Sequence, residues 1–225
     1  MPNRKLCWVS RLWAVMRKDA LCELRSRYAV GALAMFALVT VASISMSLAG
    51  AALGPALAAA LLWVILFFCS MAGLARVFIL EQEAGTLFVL RLYADGQAVF
   101  FGKTLFNILL LLATTVFIVP LAILLLDLAI PQWSAFIAVI VLGDIGIAAI
   151  ATLTALMVAR AGGQGTLFAI ITFPLLLPQF LTSISATAQV FANSRPGIDL
   201  FLFMAGFDAA VLAAASVLFD YLWSD

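Results

Sequence analysis

Apolar residues in this chain come in long unbroken runs rather than in alternation. Six stretches, at about 29–49, 54–79, 99–127, 133–159, 166–190 and 199–222, each hold the roughly 20 mostly apolar residues that a membrane-crossing helix needs. Continuous runs of this length predict helices and argue against a barrel, whose strands would alternate with period two. The third and fourth runs are long enough to tilt or to extend past the hydrocarbon.

The polar positions between these runs are few, and their placement carries the rest of the reading. Residues 8–27, "WVSRLWAVMRKDALCELRSR", predict a helix that does not span. At 100° per residue Val9, Leu12, Trp13, Met16, Ala20 and Leu24 share one face, while Arg11, Arg17, Lys18 and Arg25 gather opposite. Such a helix lies in the membrane interface with its basic side towards headgroups and water. It serves either as a topology anchor or as a lever that contacts a cytoplasmic partner.

A second polar interruption follows the second run. "RVFILEQEAGTLFVLRLYADGQAVFFGK", residues 76–103, holds Glu81, Glu83, Arg91 and Asp95 between two apolar spans. Gly85 gives a turn, Thr86 is a good N-cap for a helix over "LFVLRLYA", and Asp95-Gly96 ends it. The chain re-enters the membrane near Val99. Leu87, Phe88, Val89, Leu90 and Leu92 are more apolar than a solvent loop requires, so the segment predicts a transverse helix with a docking surface.

Composition fixes the solvent. Of 225 residues 66% are hydrophobic and 10% charged, against about 45–50% and about 25% in soluble domains. The expectation is a polytopic membrane protein. With the N-terminus in the cytoplasm, the inside receives Arg4, Lys5, Arg11, Arg17, Lys18, Arg25, Arg27, Arg76, Arg91, Lys103 and Arg160, and only Arg195 falls outside. Both termini are then cytoplasmic. A cleaved signal peptide is not expected, because the first apolar run begins near residue 29 and is long enough to span. The organisation is a cytoplasmic amphipathic segment over 1–28 and a six-helix membrane domain over 29–225. Histidine is absent, which removes the commonest metal ligand and proton shuttle. Cys7, Cys22 and Cys69 have no paired spacing, and no disulfide is expected.

Candidate chemistry is sparse. "GQAVFFGKT" imitates a phosphate-binding loop, but five residues rather than four separate Gly96 from Gly102, and Lys103 leads into a span. ATP binding by this chain is not expected. Asp144, in "VLGDIGIAA" between Gly143 and Gly146, and Asp208, in "MAGFDAAV", are acids placed within spans, with no basic partner at matching depth. They are either packing acids or the lining of a substrate or proton path. Asp127, Asp199 and Asp220 fall near span ends. Pro174 and Pro178 break the backbone ladder of the fifth span twice and predict a kink, either a broken outer half or a gate hinge. No catalytic triad and no metal cluster is present, so no enzymatic activity is expected.

"SMAGLARVFILEQEAGTLFVLRLYA" at 70–94, "RAGGQGTLFAIITFPLLLP" at 160–178 and the closing "FDYLWSD" resemble, in that order, the CcmB family of haem-exporter permeases, and the likeness covers essentially the whole chain. That family is among the permease subunits of ATP-binding-cassette (ABC) exporters. The resemblance implies an all-α membrane protein of exporter-type permease architecture in the bacterial inner membrane. It also implies a homodimer carrying a CcmA-like ATPase, with CcmC-like and CcmD-like membrane subunits and a CcmE-like haem chaperone. It makes residues of about 81–95 the coupling helix seated on the ATPase, which assigns that contact to Arg76, Glu81, Glu83, Gly85, Thr86, Leu87, Leu90 and Arg91. Trp13, Arg17, Lys18 and Arg25 mark the interfacial helix, and Pro174 and Pro178 the hinge.

The expected function is to couple ATP hydrolysis on a separate subunit to rearrangement in the membrane, for haem export or release of haem-loaded chaperone. ATP and magnesium then belong to the ATPase, haem to the complex, and no cofactor to this chain. Two other readings remain open at this point: an exporter permease for a lipid, polyketide or peptide, and a proton-coupled carrier using Asp144 and Asp208.

Overall fold

A computed structural model describes residues 4–26, 28–74, 95–160 and 165–224. All regular elements among them are helices: α1 (Arg4–Ser26), α2 (Tyr28–Leu48), α3 (Pro55–Leu74), α4 (Gly96–Leu126), α5 (Trp133–Arg160), α6 (Gly165–Phe191) and α7 (Ile198–Ser224). Five of them, α3 to α7, are long and apolar enough to cross a membrane, and α2 adds a shorter apolar helix over Leu33–Leu48. The observed boundaries of α4 to α7 lie within three residues of those expected. At about 1.5 Å per residue, the 31 residues of α4 make it longer than a hydrocarbon core of about 30 Å. Its first turns project to meet α1.

The outer surface explains why lipid is the required solvent. Met46 of α2, Val116 and Leu124 of α4, and Ile198 and Val217 of α7 are each at least 70% exposed. The interior is built around α5, which packs on α4, α6 and α7 and more lightly on α3. Small residues make this central position feasible, because Gly143, Gly146, Ala148, Ala149, Ala151 and Ala155 are all buried on it. The Trp63 ring of α3 lies directly on Gly143, where any Cβ would overlap it. Its indole Nε1 donates to Thr187 Oγ1 of α6 at 2.8 Å.

The hydrophobic effect cannot drive helices together when lipid is equally apolar, so close packing and interhelical hydrogen bonds fix the arrangement. Asn107 Nδ2 of α4 donates to Thr152 Oγ1 of α5 at 2.8 Å. The Thr154 and Thr172 hydroxyls join α5 to α6 at 2.8 Å, and Ser45 of α2 donates to the Leu125 carbonyl of α4 at 2.6 Å. Helix α6 runs continuously from Gly165 to Phe191 with Pro174 and Pro178 inside it, both rings facing outward.

Candidate functional site

Three helix ends, the start of α4 and the ends of α5 and α7, come together with the middle of α1 at one end of the bundle, where the chain enters α4. The convergence begins with Gly102, two turns into α4. A Cβ there would sit 2.9 Å from the Leu12 carbonyl oxygen and 3.1 Å from the Val15 Cβ of α1. Only glycine lets the two backbones come this close, and α1 crosses α4 at that point. Leu12, Val15, Met16 and Asp19 supply the face that α1 turns to α4, with Val15, Met16 and Asp19 buried. Trp8 adds an edge-on contact with Phe101 at 6.1 Å between centroids.

Two ion pairs fasten the crossing on either side. Arg11 Nη1 lies 3.0 Å from Asp95 Oδ2 at the residue preceding α4, in an exposed position. Lys103 Nζ lies 3.0 Å from Asp19 Oδ2, and there the lysine is fully buried. The second oxygen of Asp19 is 3.2 Å from Lys18 Nζ, so one carboxylate sits between two ammonium groups. Burying a lysine without a partner is prohibitively costly. The pair therefore explains how Lys103 can open an apolar helix.

The far side of α4 meets the end of α7. A Cβ on Gly96 would fall 2.7 Å from Asp220 Oδ1 and 3.0 Å from Trp223 Cβ. Phe100 of α4 packs on Phe219, which stacks on Trp223. Arg160, in the last turn of α5, donates from Nε (3.1 Å) and Nη2 (2.5 Å) to the Leu222 carbonyl. A cation there meets the negative end of the α7 dipole and satisfies a terminal carbonyl. Helices α1, α4, α5 and α7 are thus joined at one end by close packing, ion pairs and a cap.

Arg76, Glu81, Glu83, Gly85, Thr86, Leu87, Leu90 and Arg91 lie outside the described residues, although the chain re-emerges from that segment at Asp95, against Arg11. Trp13, Arg17 and Lys18 stand exposed on α1. Arg25 is in its last turn, with a side chain outside the described ones. The apolar face expected for this helix is divided: Leu12 and Met16 go towards α4, while Val9 and Trp13 face outward. Rotation of the buried face by most of a right angle follows from Asp19, which must reach Lys103.

Asp144 and Asp208 are both buried in the bundle, remote from this junction. Thr115 Oγ1 of α4 donates to Asp144 Oδ2 at 3.3 Å. Asp208 faces Gly146 of α5 and Gln179 of α6. Pro174 and Pro178 lie on the outward side of α6 and touch neither acid in any described hydrogen bond.

Sequence reasoning overlooked Asp19, Lys103 as its partner, the Arg11–Asp95 pair, Arg160 as a cap, and Gln179. One signal was readable: a lysine two turns inside an apolar helix demands a carboxylate. Nothing local in the sequence names Asp19 as that carboxylate. Among the described residues, no group of three or more histidine, cysteine, aspartate or glutamate side chains could hold a metal ion.

The family model described as CcmB protein matches residues 10–220. No curated protein matches the chain, and no solved structure matches it.

Proposed function

The chain belongs to the CcmB family, the membrane component of the haem-export ABC system of cytochrome c maturation, and we propose that it transmits ATP hydrolysis on a partner ATPase into movement of its spans. The junction of α1, α4, α5 and α7 is the observation that carries this reading. A load applied to residues 75–94 reaches α4 through Asp95. Because α1 is fastened to α4 at Arg11–Asp95 and Asp19–Lys103, the two helices move as one body. The Phe100–Phe219 contact and the Arg160 cap then pass the displacement to α7 and α5. Rigid, packed elements of this kind are what coupling between distant sites requires.

In this account Arg76, Glu81, Glu83, Gly85, Thr86, Leu87, Leu90 and Arg91 seat on a CcmA-like ATPase, and α2 is the sixth span. The α1 end of the bundle is cytoplasmic in the inner membrane, with the exposed Trp13, Arg17 and Lys18 at the headgroup level. Two copies assemble with the ATPase and with CcmC-like, CcmD-like and CcmE-like partners, and Pro174 and Pro178 supply the flexing of α6. Catalysis and bound ATP and magnesium reside on the ATPase. Lacking histidine, the chain does not offer the usual axial ligand for haem, so its part is mechanical: it releases haem-loaded chaperone.

Gentle purification of the tagged chain from its host, with mass spectrometry of the proteins retained, tests this reading. Recovery of an ATPase together with a CcmC-like subunit supports it. An ATPase recovered alone indicates a permease for another cargo, and recovery of no ATPase refutes the coupling.

A further inference from the structure

Three side-chain oxygen atoms deep in the bundle, on two residues that approach the same glycine, have no donor among the described residues. Asp208 of α7 is 4% exposed and Gln179 of α6 is 1% exposed. Asp208 Oδ1, Asp208 Oδ2 and Gln179 Oε1 are all enclosed, and none accepts a hydrogen bond from a described residue. Both side chains converge on Gly146 of α5, where a Cβ would sit 2.6 Å from Asp208 Oδ1 and 2.9 Å from Gln179 Cγ. The glycine thus leaves the space in which they meet.

The orientation of Gln179 is set from its other side. Its Nε2 donates to the Leu142 carbonyl of α5 at 3.2 Å. Turning the amide over would point its oxygen at that carbonyl, acceptor against acceptor. Gln179 therefore keeps Oε1, and not the amide nitrogen, as its atom without a partner. Three acceptors and one formal negative charge, with no donor among them, suit a ligand that carries positive charge. Buried polar atoms left without partners are rare in folded proteins, and a carboxylate in hydrocarbon is costlier still.

We propose that Asp208 and Gln179, spaced by Gly146, form an intramembrane site for one small monovalent cation, either a proton or a sodium ion. The site lies apart from the α1–α4 junction and stands whether or not the chain drives an ATPase. The remaining titratable group close by is Asp144, two residues from Gly146 on α5, which takes the Thr115 hydroxyl. From α6 the facing group is Gln179 itself. Elsewhere the buried cation, Lys103, is held by Asp19.

The test is thermal unfolding of the full chain in detergent, in sodium, potassium or N-methylglucamine chloride at matched ionic strength and at several pH values. The parent, Asp208→Asn, Gln179→Leu and Asp144→Asn forms are compared. Ligand that binds only the folded chain stabilises it by mass action. If sodium is the cation, the parent Tm rises above the binding midpoint by about 3–6 °C per tenfold increase in sodium. Potassium does little, and the rise is lost in Asp208→Asn and weakened in Gln179→Leu. If the proton is the cation, the parent Tm is indifferent to sodium and falls as pH is raised. That fall persists in Asp144→Asn, is smaller in Asp208→Asn, where Asp144 still titrates, and is smaller again in the double variant. The infrared band of a protonated carboxylic acid is then present in Asp144→Asn and absent in the double variant with Asp208→Asn. Asparagine is isosteric and leaves no charge to bury, so Asp208→Asn is expected to fold. A parent protein whose response to sodium and to pH is the same as that of Asp208→Asn, with no carboxylic acid band attributable to Asp208, overturns the proposal.

Discussion

Removing either partner of the Asp19–Lys103 pair perturbs the α1–α4 crossing at its most buried point, and the two removals are not equivalent. At 3.0 Å and an effective dielectric of about 20, the Coulomb attraction is on the order of 5 kcal/mol. Desolvation offsets much of it, so the pair adds little net stability over an apolar pair of the same volume. Breaking it is another matter. Asp19→Leu leaves the fully buried Lys103 ammonium without its carboxylate, at a cost of about 3–5 kcal/mol. Lys103→Met costs less, about 1–3 kcal/mol, because Asp19 keeps Lys18 at 3.2 Å and has some access to solvent. Combining them removes both charges and recovers most of the loss, giving a coupling energy of about 2 kcal/mol or more. Trypsin provides the assay, because Arg11, Arg17 and Lys18 offer cleavage sites on α1 that become accessible when the helix undocks and unwinds. When opening is fast relative to cleavage, the rate follows the open population. A loss of about 3 kcal/mol then raises it on the order of a hundredfold, with cleavage fastest in Asp19→Leu. Equal rates in all four proteins, or a double variant whose cost is the sum of the singles, would refute the reasoning.

Gly102→Ala places a methyl group against the Leu12 carbonyl and Val15, so α1 should undock at a cost of about 1–3 kcal/mol, with faster tryptic cleavage and an otherwise intact bundle. Gly143→Ala forces the Trp63 ring out of its seat; Tm should fall by an amount equivalent to about 1–3 kcal/mol, and fluorescence should report a changed indole environment. Arg160→Ala strips both hydrogen bonds from the Leu222 carbonyl. It should cost about 1–2 kcal/mol, with partial rescue by Arg160→Lys, because a single ammonium can restore one bond and the favourable charge at the end of α7. Amide exchange at the end of α7 measures that loss.

The positions of the helices were legible in the chain because lipid imposes a simple rule, that a spanning segment must be long, apolar and internally hydrogen-bonded. The continuous runs from 99 to 127 and from 133 to 159 became α4 and α5 almost without adjustment. The docking of α1 was not legible. Its sequence contains an apolar arc from Val9 to Leu24, and periodicity assigned that whole arc to one environment. The actual face is set by Asp19, a polar residue that the apolar pattern discounts, and by a lysine 84 positions later. Pairing over such separation leaves no periodic trace. The polar contacts among spans were equally hidden. Asp144 and Asp208 announced themselves as acids in hydrocarbon, but Gln179 reads as one more polar residue until α5, α6 and α7 bring it to Gly146.

ATP hydrolysis by the purified complex of this chain with its ATPase tests most directly the claim that the segment entering α4 at Asp95 transmits force. Charge reversal at both acids, Glu81→Arg with Glu83→Arg, is compared with the parent at equal subunit composition and equal thermal stability. Permease-stimulated hydrolysis is predicted to fall severalfold while the ATPase remains bound. Hydrolysis at the parental rate, in a complex that assembles normally, would contradict the account.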